Sequence, residues 1–453
     1  MIAPARLAAF DALLAVSRGA RDLGDALDGA RASLADPRDV ALCHQVTVGT
    51  VRWRGRLDFA LARLSKQPLE RLDLEVLTAL RMGAYQLFHL SRVPAAAVVH
   101  DAVALVRRAR KTSAAGLVNA VLRRLAGGAG RDLPPRPDRP PDAAMAPWVE
   151  HLAVLHAHPA WLVERWLARR PLADVEAWLA FNNAPPAVAM RVNPLMAETP
   201  AAVIGELAAD GVVATASPVV PWGVRVEHGP AATSRVIAAG TAVIQDEGSQ
   251  LAGRLAPVRP GDLVLDVCAA PGGKALQYAA AAGAGGRVVA CDVRPARLRL
   301  LAATLARGGA AGAAVVALDP EAPLPFAGRF DVVVVDAPCS GLGTLRRDPD
   351  IKWRRQAADL PRFAARQRDL LGRAAACVRP GGHLVYTTCS TEPEENERVV
   401  SDVVATLSGF TLARPSGDAA IARCLDADGS FRTDPVRDGL EGYFGALLVR
   451  APA

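Results

Sequence analysis

Through its first 125 residues the chain places apolar side chains at intervals of three and four. ARLAAFDALLAV, LEVLTALRMGAYQLFHL, DAVALVRRAR and AAGLVNAVLRRL all carry this spacing, which gathers the apolar positions on one face of an α-helix. No strand-like alternation intervenes, so the pattern predicts an all-helical domain over 1–126. It stops at AGGAGRDLPPRPDRPPDAAMA. Glycines and prolines crowd there, and the composition predicts a linker of polyproline character over 127–146.

From residue 147 the pattern changes. PAWLVERWLARR reads as a helix closed by Pro171, and PLADVEAWLAFNNAPP as another ended by Pro185 and Pro186. AVAMRVNP then reads as a strand, AAVIGELAADG as a helix and GVRVEH as a second strand. This predicts a small α+β domain over 147–236. Beyond it, LVLDV (263–267), RVVAC (287–291), AAVVAL (313–318), FDVVVV (330–335) and HLVYTTC (383–389) are short, apolar and β-branched. Helical stretches such as ARLRLLAATLAR and LPRFAARQRDLLGRAAACV separate them. Near-continuous apolar strands alternating with helices imply a mostly parallel, doubly wound α/β sheet covered on both faces, here over 237–453.

Composition narrows the class. The 453 residues are 51% hydrophobic and 22% charged, an ordinary globular balance. No run of about 18 apolar residues lacks a charge or breaker, so no transmembrane helix is predicted. Asp11 interrupts the apolar N-terminus and no small-residue cleavage site follows, so that segment reads as an amphipathic helix rather than a leader. Seven cysteines form no regular framework, which predicts reduced thiols and a cytoplasmic protein. The net charge of +7 is unevenly spread. Residues 1–130 hold 19 basic and 11 acidic side chains, while the remainder is nearly balanced. This basic excess is either a solvated surface or a polyanion-facing module, since each phosphate neutralised releases counterions. A second, local basic cluster runs from Arg346 to Arg373.

Three strand-end turns carry the candidate chemistry. LVLDV feeds Cys268-Ala269-Ala270-Pro271-Gly272-Gly273-Lys274, a Gly-rich turn entering a helix, as in the nucleotide pockets of doubly wound sheets. It lacks the residues of a phosphate-binding P-loop and the G-x-G-x-x-G fingerprint. Asp292 ends the next strand, where a carboxylate accepts hydrogen bonds from ribose hydroxyls, and Asp319 ends the third, on the adenine side. Strand-end capping is the plainer role for both. The pattern predicts an adenosine-type cofactor without choosing between NAD and S-adenosylmethionine. The fourth strand closes with Asp336-Ala337-Pro338-Cys339-Ser340 and the fifth with Thr388-Cys389-Ser390. Two adjacent strand ends that each present a cysteine, one with an aspartate beside it, form a candidate nucleophile pair. Cys43, Cys291, Cys377 and Cys424 read as inert, buried thiols. No spacing suits a metal, and His151, His156 and His158 read as structural.

DVCAAPGGK, DAPCSGLGTLRRDPDIKW and YTTCSTEPEENE, in this order and spacing, closely resemble the motifs of the Nop/Sun RNA cytosine-C5 methyltransferases. QDEGSQL, HPAWLVERW, NNAPPAVAMRVN and EGYFGALLVR are also similar to that family. VTVGTVRWR, LRMGAYQLFHLSRVPAAAVVHDAV and GLVNAVLRR resemble a NusB-like RNA-binding domain, and this fusion is similar to the bacterial members that act on 16S rRNA. The sequence departs from the family at Ala275, commonly threonine, and in PEAPLP after Asp319, which lacks a small polar residue.

The resemblance implies a Rossmann-like class I methyltransferase domain, S-adenosylmethionine as cofactor, and 16S rRNA or an early small-subunit particle as partner, with a monomer and no metal or membrane. It implies Cys389 as the nucleophile that adds to C6 of cytosine and Cys339 as the thiol that assists release. Asp336 would orient the base, and Lys274 is a candidate for lowering the pKa of the nucleophilic thiol. The cofactor would sit on Cys268 to Lys274, Asp292, Asp319 and Asp336. Arg346, Arg347, Lys352 and Arg354 are candidates for flanking phosphates, and Trp353 for base stacking or for packing. Three alternatives remain at this point: the same chemistry on tRNA or 23S rRNA, an NAD-dependent oxidoreductase on the same fold, and a non-catalytic RNA-binding or assembly factor.

Overall fold

The computed structural model describes every residue except Met1, Glu198, Glu321 and Ala453. The outermost residues of the first and last expected domains, and Glu321 of the PEAPLP segment, thus lie outside the described residues. The chain divides into two compact units, one of residues 1–184 with 345–357, the other of 185–344 with 358–453.

The first unit is helical. Helices Pro4–Ser17, Leu23–Ala32, Pro37–Arg52, Arg54–Leu64, Leu74–His89, Ala95–Arg108 and Ala115–Ala126 follow the three-and-four periodicity. Asp22 and Asp36 start two of them by accepting from backbone N–H groups of the first turn. Phe10, Leu57, Leu61, Leu80, Leu105, Val118 and Leu122 form their common core. Arg6 is buried and donates to Asp101 at 2.7 Å and to Gln86 at 2.7 Å, so its charge is paired inside the bundle.

The helices Met145–Leu155, Ala160–Leu167 and Leu172–Asn183 belong to this unit as well. The sequence pattern grouped them with the strands that follow. Trp166 and Trp178 stack within them, ring centroids 4.1 Å apart. The Pro-rich stretch is tied down at several points. Trp148 Nε1 donates to Arg139 O at 2.6 Å, His151 Nδ1 lies 2.8 Å from Pro134 O, and Arg136 pairs with Glu176 at 2.6 Å.

The second unit holds two sheets. Strands β1 (Val188–Val192), β2 (Val213–Ala216), β3 (Gly223–His228) and β4 (Ala242–Ile244) make an antiparallel sheet in the order β2-β3-β1-β4. The large sheet contains β5 (Leu263–Asp266), β6 (Arg287–Asp292), β7 (Ala314–Ala317), β8 (Phe330–Asp336), β9 (Val378–Thr388), β10 (Phe410–Ala413), β11 (Phe431–Thr433) and β12 (Tyr443–Arg450). Its order is β10-β12-β9-β8-β5-β6-β7, with β11 beside β12. The five strands from β9 to β7 run parallel, β12 runs antiparallel to β9, and β10 and β11 pair antiparallel with β12. Alternate residues of β8 and β9 face opposite sides. Val332, Val334 and Val385 join one core, and Val333, Val335, Leu384 and Tyr386 the other. Strand order reverses between β5 and β8, so the crevice beyond their carboxyl ends is where this topology places a ligand.

Candidate active site

The turns after β5, β8 and β9 meet at that switch point. Asp336 ends β8. Its Oδ2 accepts from Lys274 Nζ at 2.8 Å, and its Oδ1 from Thr387 Oγ1 at 2.8 Å. Thus the loop after β5, the end of β8 and the end of β9 share one carboxylate. Cys339 and Cys389 follow β8 and β9, and their sulfurs lie 3.3 Å apart. The turns approach so closely that a Cβ on Gly343 would fall 1.9 Å from Gly442 O and 2.9 Å from Cys389 O. Only glycine fits there, which gives the GLG of the motif a packing reason.

Charge is arranged around the two thiols. Burial acts to lower the pKa of Lys274, but the Asp336 carboxylate, helped by Asp246, outweighs it and holds the ammonium above its usual value. The hydrogen bond to Cys389, then burial, push the Cys339 thiol well above its usual range. Tyr443 closes the site: its hydroxyl donates to Asp246 Oδ2 at 2.9 Å, and Lys274 Nζ lies 5.7 Å from its ring. Beside them the buried Arg191 donates to Gln245 Oε1 at 2.9 Å and to Gly273 O at 2.8 Å, bracing the glycine turn. Burial lowers its pKa to about 10.

A cleft of ≈ 620 Å³ opens next to this cluster, lined by Cys268, Asp292, Asp319, Pro338 and Gln367 among others. Its size suits a nucleoside-bearing ligand. Three observations test whether S-adenosylmethionine fits these residues. Gly272 has φ +110° and starts the helix Gly273–Ala282 without a side-chain cap, which leaves first-turn N–H groups for a carboxylate. Asp266 is buried with Oδ1 unpartnered, which suits a cationic amino group. Burial, then the nearby Asp336, push Asp266 up to about 7. Asp292, at the end of β6, is buried in the cleft wall, with Arg294 N donating to Oδ1 at 3.1 Å. The residues fit the cofactor's zwitterion and its ribose. Ala269 and Ala270 are buried, Ala269 N donates to Cys291 O at 2.7 Å, and Pro271 is exposed at the turn.

The basic candidates are corrected in part. Lys352 belongs to the first unit and is fully buried; its ammonium donates to Asn183 Oδ1 at 2.8 Å and to Arg52 O and Ala157 O at 3.4 Å. Burial drives its pKa well below the usual value. A lysine whose three donors are used internally does not reach a phosphate. Trp353 is half-buried, its Nε1 donating to Val51 O at 2.7 Å, so it packs rather than offering a stacking face. Arg346 lies 3.9 Å from the Phe181 ring centroid, and Arg354 pairs with Asp350 at 2.8 Å. Arg347, like Arg346, is half-buried. His156 and His158 serve the same packing. Their neighbours Asn183 and Asn182 lie within hydrogen-bond reach of His156 O and His158 Nε2.

Asp266 was part of the first strand-end turn read from sequence but was given no role there, and Asp246, Arg191, Glu395 and Tyr443 were not singled out. Their signal was present, since QDEGSQL, LVLDV, TEPEENE and EGYF are all local motifs. Their roles depend on contacts across the sheet. Cys43, Cys291, Cys377 and Cys424 are buried thiols. Among the described residues, no helix is long and apolar enough to cross a membrane.

Three family descriptions match the chain. "16S rRNA methyltransferase RsmB/F" covers residues 253–449, "NusB family" residues 3–127, and "Methyltr_RsmF/B-like, ferredoxin-like domain" residues 158–233. "Ribosomal RNA small subunit methyltransferase B" of Pseudomonas putida is 36% identical over 99% of both chains. "Probable ribosomal RNA small subunit methyltransferase B" of Bacillus subtilis is 29% identical over 89% of both. The solved structure described as "Crystal Structure of PH0851" superposes with a TM-score of 0.82 at 25% identity, covering 99% of each chain. The structure of NSun6 from Pyrococcus horikoshii with SFG has a TM-score of 0.57 at 20% identity, covering 66% of this chain and all of that one, and shares the fold.

Proposed function

Because the chain belongs to the 16S rRNA methyltransferase RsmB/F family, we propose that it methylates C5 of a cytosine in 16S rRNA, using S-adenosylmethionine and a transient bond from Cys389 to C6. The observation that carries this reading is the pair of sulfurs 3.3 Å apart beside the Lys274–Asp336 ion pair at the switch point.

C5 of cytosine is a poor nucleophile. Addition of a thiolate at C6 makes C5 enamine-like, which divides one difficult substitution into two easier steps. When bound, S-adenosylmethionine supplies an electrophilic methyl on a sulfonium. The turn Cys268 to Lys274, Asp266, Asp292 and Asp319 would hold it. Cys389 adds to C6, and the Lys274 ammonium nearby stabilises a thiolate in that position. Asp336, fixed by Lys274 and Thr387, orients the base edge. Once C5 carries the methyl group, a base takes the C5 proton, its electron pair re-forms the C5–C6 double bond, and the Cys389–C6 bond breaks with Cys389 leaving as a thiolate. Cys339, 3.3 Å from Cys389, assists this release. The target base must leave its stack, which costs a few kcal/mol and is cheapest in a loop. The basic excess of the N-terminal helices adds backbone affinity without reading sequence.

Mapping of C5-methylated cytosines by bisulfite, in RNA from a strain lacking the protein, tests the assignment. Loss of one 16S site is expected, restored by the purified protein with S-adenosylmethionine. Loss confined to tRNA or 23S rRNA would contradict the substrate, and no loss in any RNA would contradict the activity.

A further inference from the structure

The two cysteine turns come from separate strands, yet one side chain holds both. Glu395 is fully buried. Its Oε1 accepts from Ser340 N at 2.8 Å and from Gln367 Nε2 at 3.1 Å. Its Oε2 accepts from Ser390 Oγ at 2.6 Å and also from Ser340 Oγ. Ser340 directly follows Cys339, and Ser390 directly follows Cys389. The two hydroxyls are themselves 3.2 Å apart, nearly repeating the 3.3 Å separation of the sulfurs one residue earlier. Glu395 is in turn fixed through its backbone, because the buried Tyr386 hydroxyl donates to Glu395 O at 2.6 Å. The next residue completes the brace. Asn396 Oδ1 accepts from Thr388 Oγ1 at 2.6 Å, and its Nδ2 donates to Ser390 O at 2.9 Å.

We infer that Glu395 is the positioning residue of the reaction: its carboxylate clamps Ser340 and Ser390 and so sets the spacing of Cys339 and Cys389. The inference rests on the reading of those two thiols as nucleophile and release group. A buried carboxylate with four donors is fully satisfied, and it bonds to the hydroxyl or N–H next to each sulfur rather than to either thiol. Two turns on different strands have no covalent reason to keep a fixed sulfur–sulfur distance. The clamp supplies one.

The test reads that distance without RNA or cofactor. Phenylarsine oxide binds tightly only where two thiols sit close enough to share one arsenic. Its capture by the Cys339–Cys389 pair is timed in the native protein, in Glu395→Ala, in Glu395→Gln and in Ser340→Ala/Ser390→Ala. Methylation kcat and KM are measured in parallel, with thermal unfolding as a fold control. Capture and kcat are expected to fall together, by tenfold or more, in Glu395→Ala and in the double serine variant, with KM for S-adenosylmethionine unmoved. Glu395→Gln is expected to recover most of both, because Oε1 still accepts and each serine hydroxyl can reverse its role. If Glu395→Ala fails to fold, the serine pair answers the same question. Native capture in a folded serine double variant, or a loss of kcat with capture intact, would overturn the clamp. Failure of the nucleophile assignment would show separately, as native methylation by Cys389→Ala with arsenical capture by the native pair unaffected.

Discussion

Two neighbouring stretches of this chain have opposite fates. Asp336 to Gly343 forms the turn of the second unit that carries Cys339, and Leu345 to Ala357, which follows at once, is part of the first unit. Both are dense in reactive or charged residues. In the turn, the polar groups sit at the end of a parallel strand, where the topology opens a crevice. In the following segment, Lys352 and Trp353 are spent on Asn183 and on backbone carbonyls within the helical unit. Local chemistry predicts function where topology fixes exposure, and a run of charge on an irregular segment does not fix it.

Replacing Lys274 with methionine sharpens the catalytic side of this contrast most. It removes the ammonium from Asp336 and from the neighbourhood of Cys389. Single-turnover methylation should slow by about a thousandfold, with RNA affinity at fixed salt unchanged. An effect on RNA affinity alone would place Lys274 with the phosphate-binding groups instead.

Asp266 offers a smaller effect with a defined pH dependence. Its pKa in the folded protein, pushed up to about 7, exceeds its ordinary 3.8. Between these values the folded protein keeps a proton the unfolded chain has lost. Stability without ligand therefore falls as pH rises through that window and levels off above about 7. A cationic amino group favours the ionised carboxylate, so cofactor binding should tighten across the same range and release a proton, which calorimetry in buffers of different ionisation enthalpy detects. Asp266→Asn should weaken S-adenosylmethionine binding roughly tenfold, abolish the proton release and flatten the pH slope of stability. An unchanged proton count would remove Asp266 from the cofactor site.

Lys352 breaks the comparison if it is wrong. Lys352→Met leaves Asn183 Oδ1 and two carbonyls without their donor and should destabilise the first unit by about 1–3 kcal/mol in thermal or urea unfolding. The salt dependence of RNA affinity should stay the same, whereas loss of a phosphate contact would lower its slope by about 0.7–0.9. Trp353→Phe should have the smallest effect, about 1 kcal/mol of stability for the lost bond to Val51 O, again with RNA affinity unmoved.

The same contrast explains what was legible beforehand. The helical periodicity of residues 4–125 and the five apolar strands are local patterns, and they correspond to the helices and the parallel strands β5 to β9. Asp336, Cys339 and Cys389 were visible because they lie at or just past strand ends, and Lys274 because it follows the glycine turn that leads from β5 into the next helix. The antiparallel strands β10 to β12 were not foreseen from their pattern, since their pairing with β9 follows from where the chain returns. The helices Ala160–Leu167 and Leu172–Asn183 are grouped with the strands that follow them both by the sequence pattern and by the ferredoxin-like domain match over 158–233, while through Met145–Leu155 they cluster spatially with the first unit. Asp246, Tyr443 and Glu395 act through partners many residues away or on another strand, and no spacing along the chain announces such contacts.

The most direct measurement incubates 16S rRNA and S-adenosylmethionine with Cys389→Ala and, separately, with Cys339→Ala, then resolves protein from RNA under denaturing conditions. The account predicts no covalent RNA–protein adduct and no methylation from Cys389→Ala, and an adduct that accumulates with Cys339→Ala because release is impaired. Methylation at the native rate by Cys389→Ala, or an adduct formed through Cys339 in its absence, would contradict it.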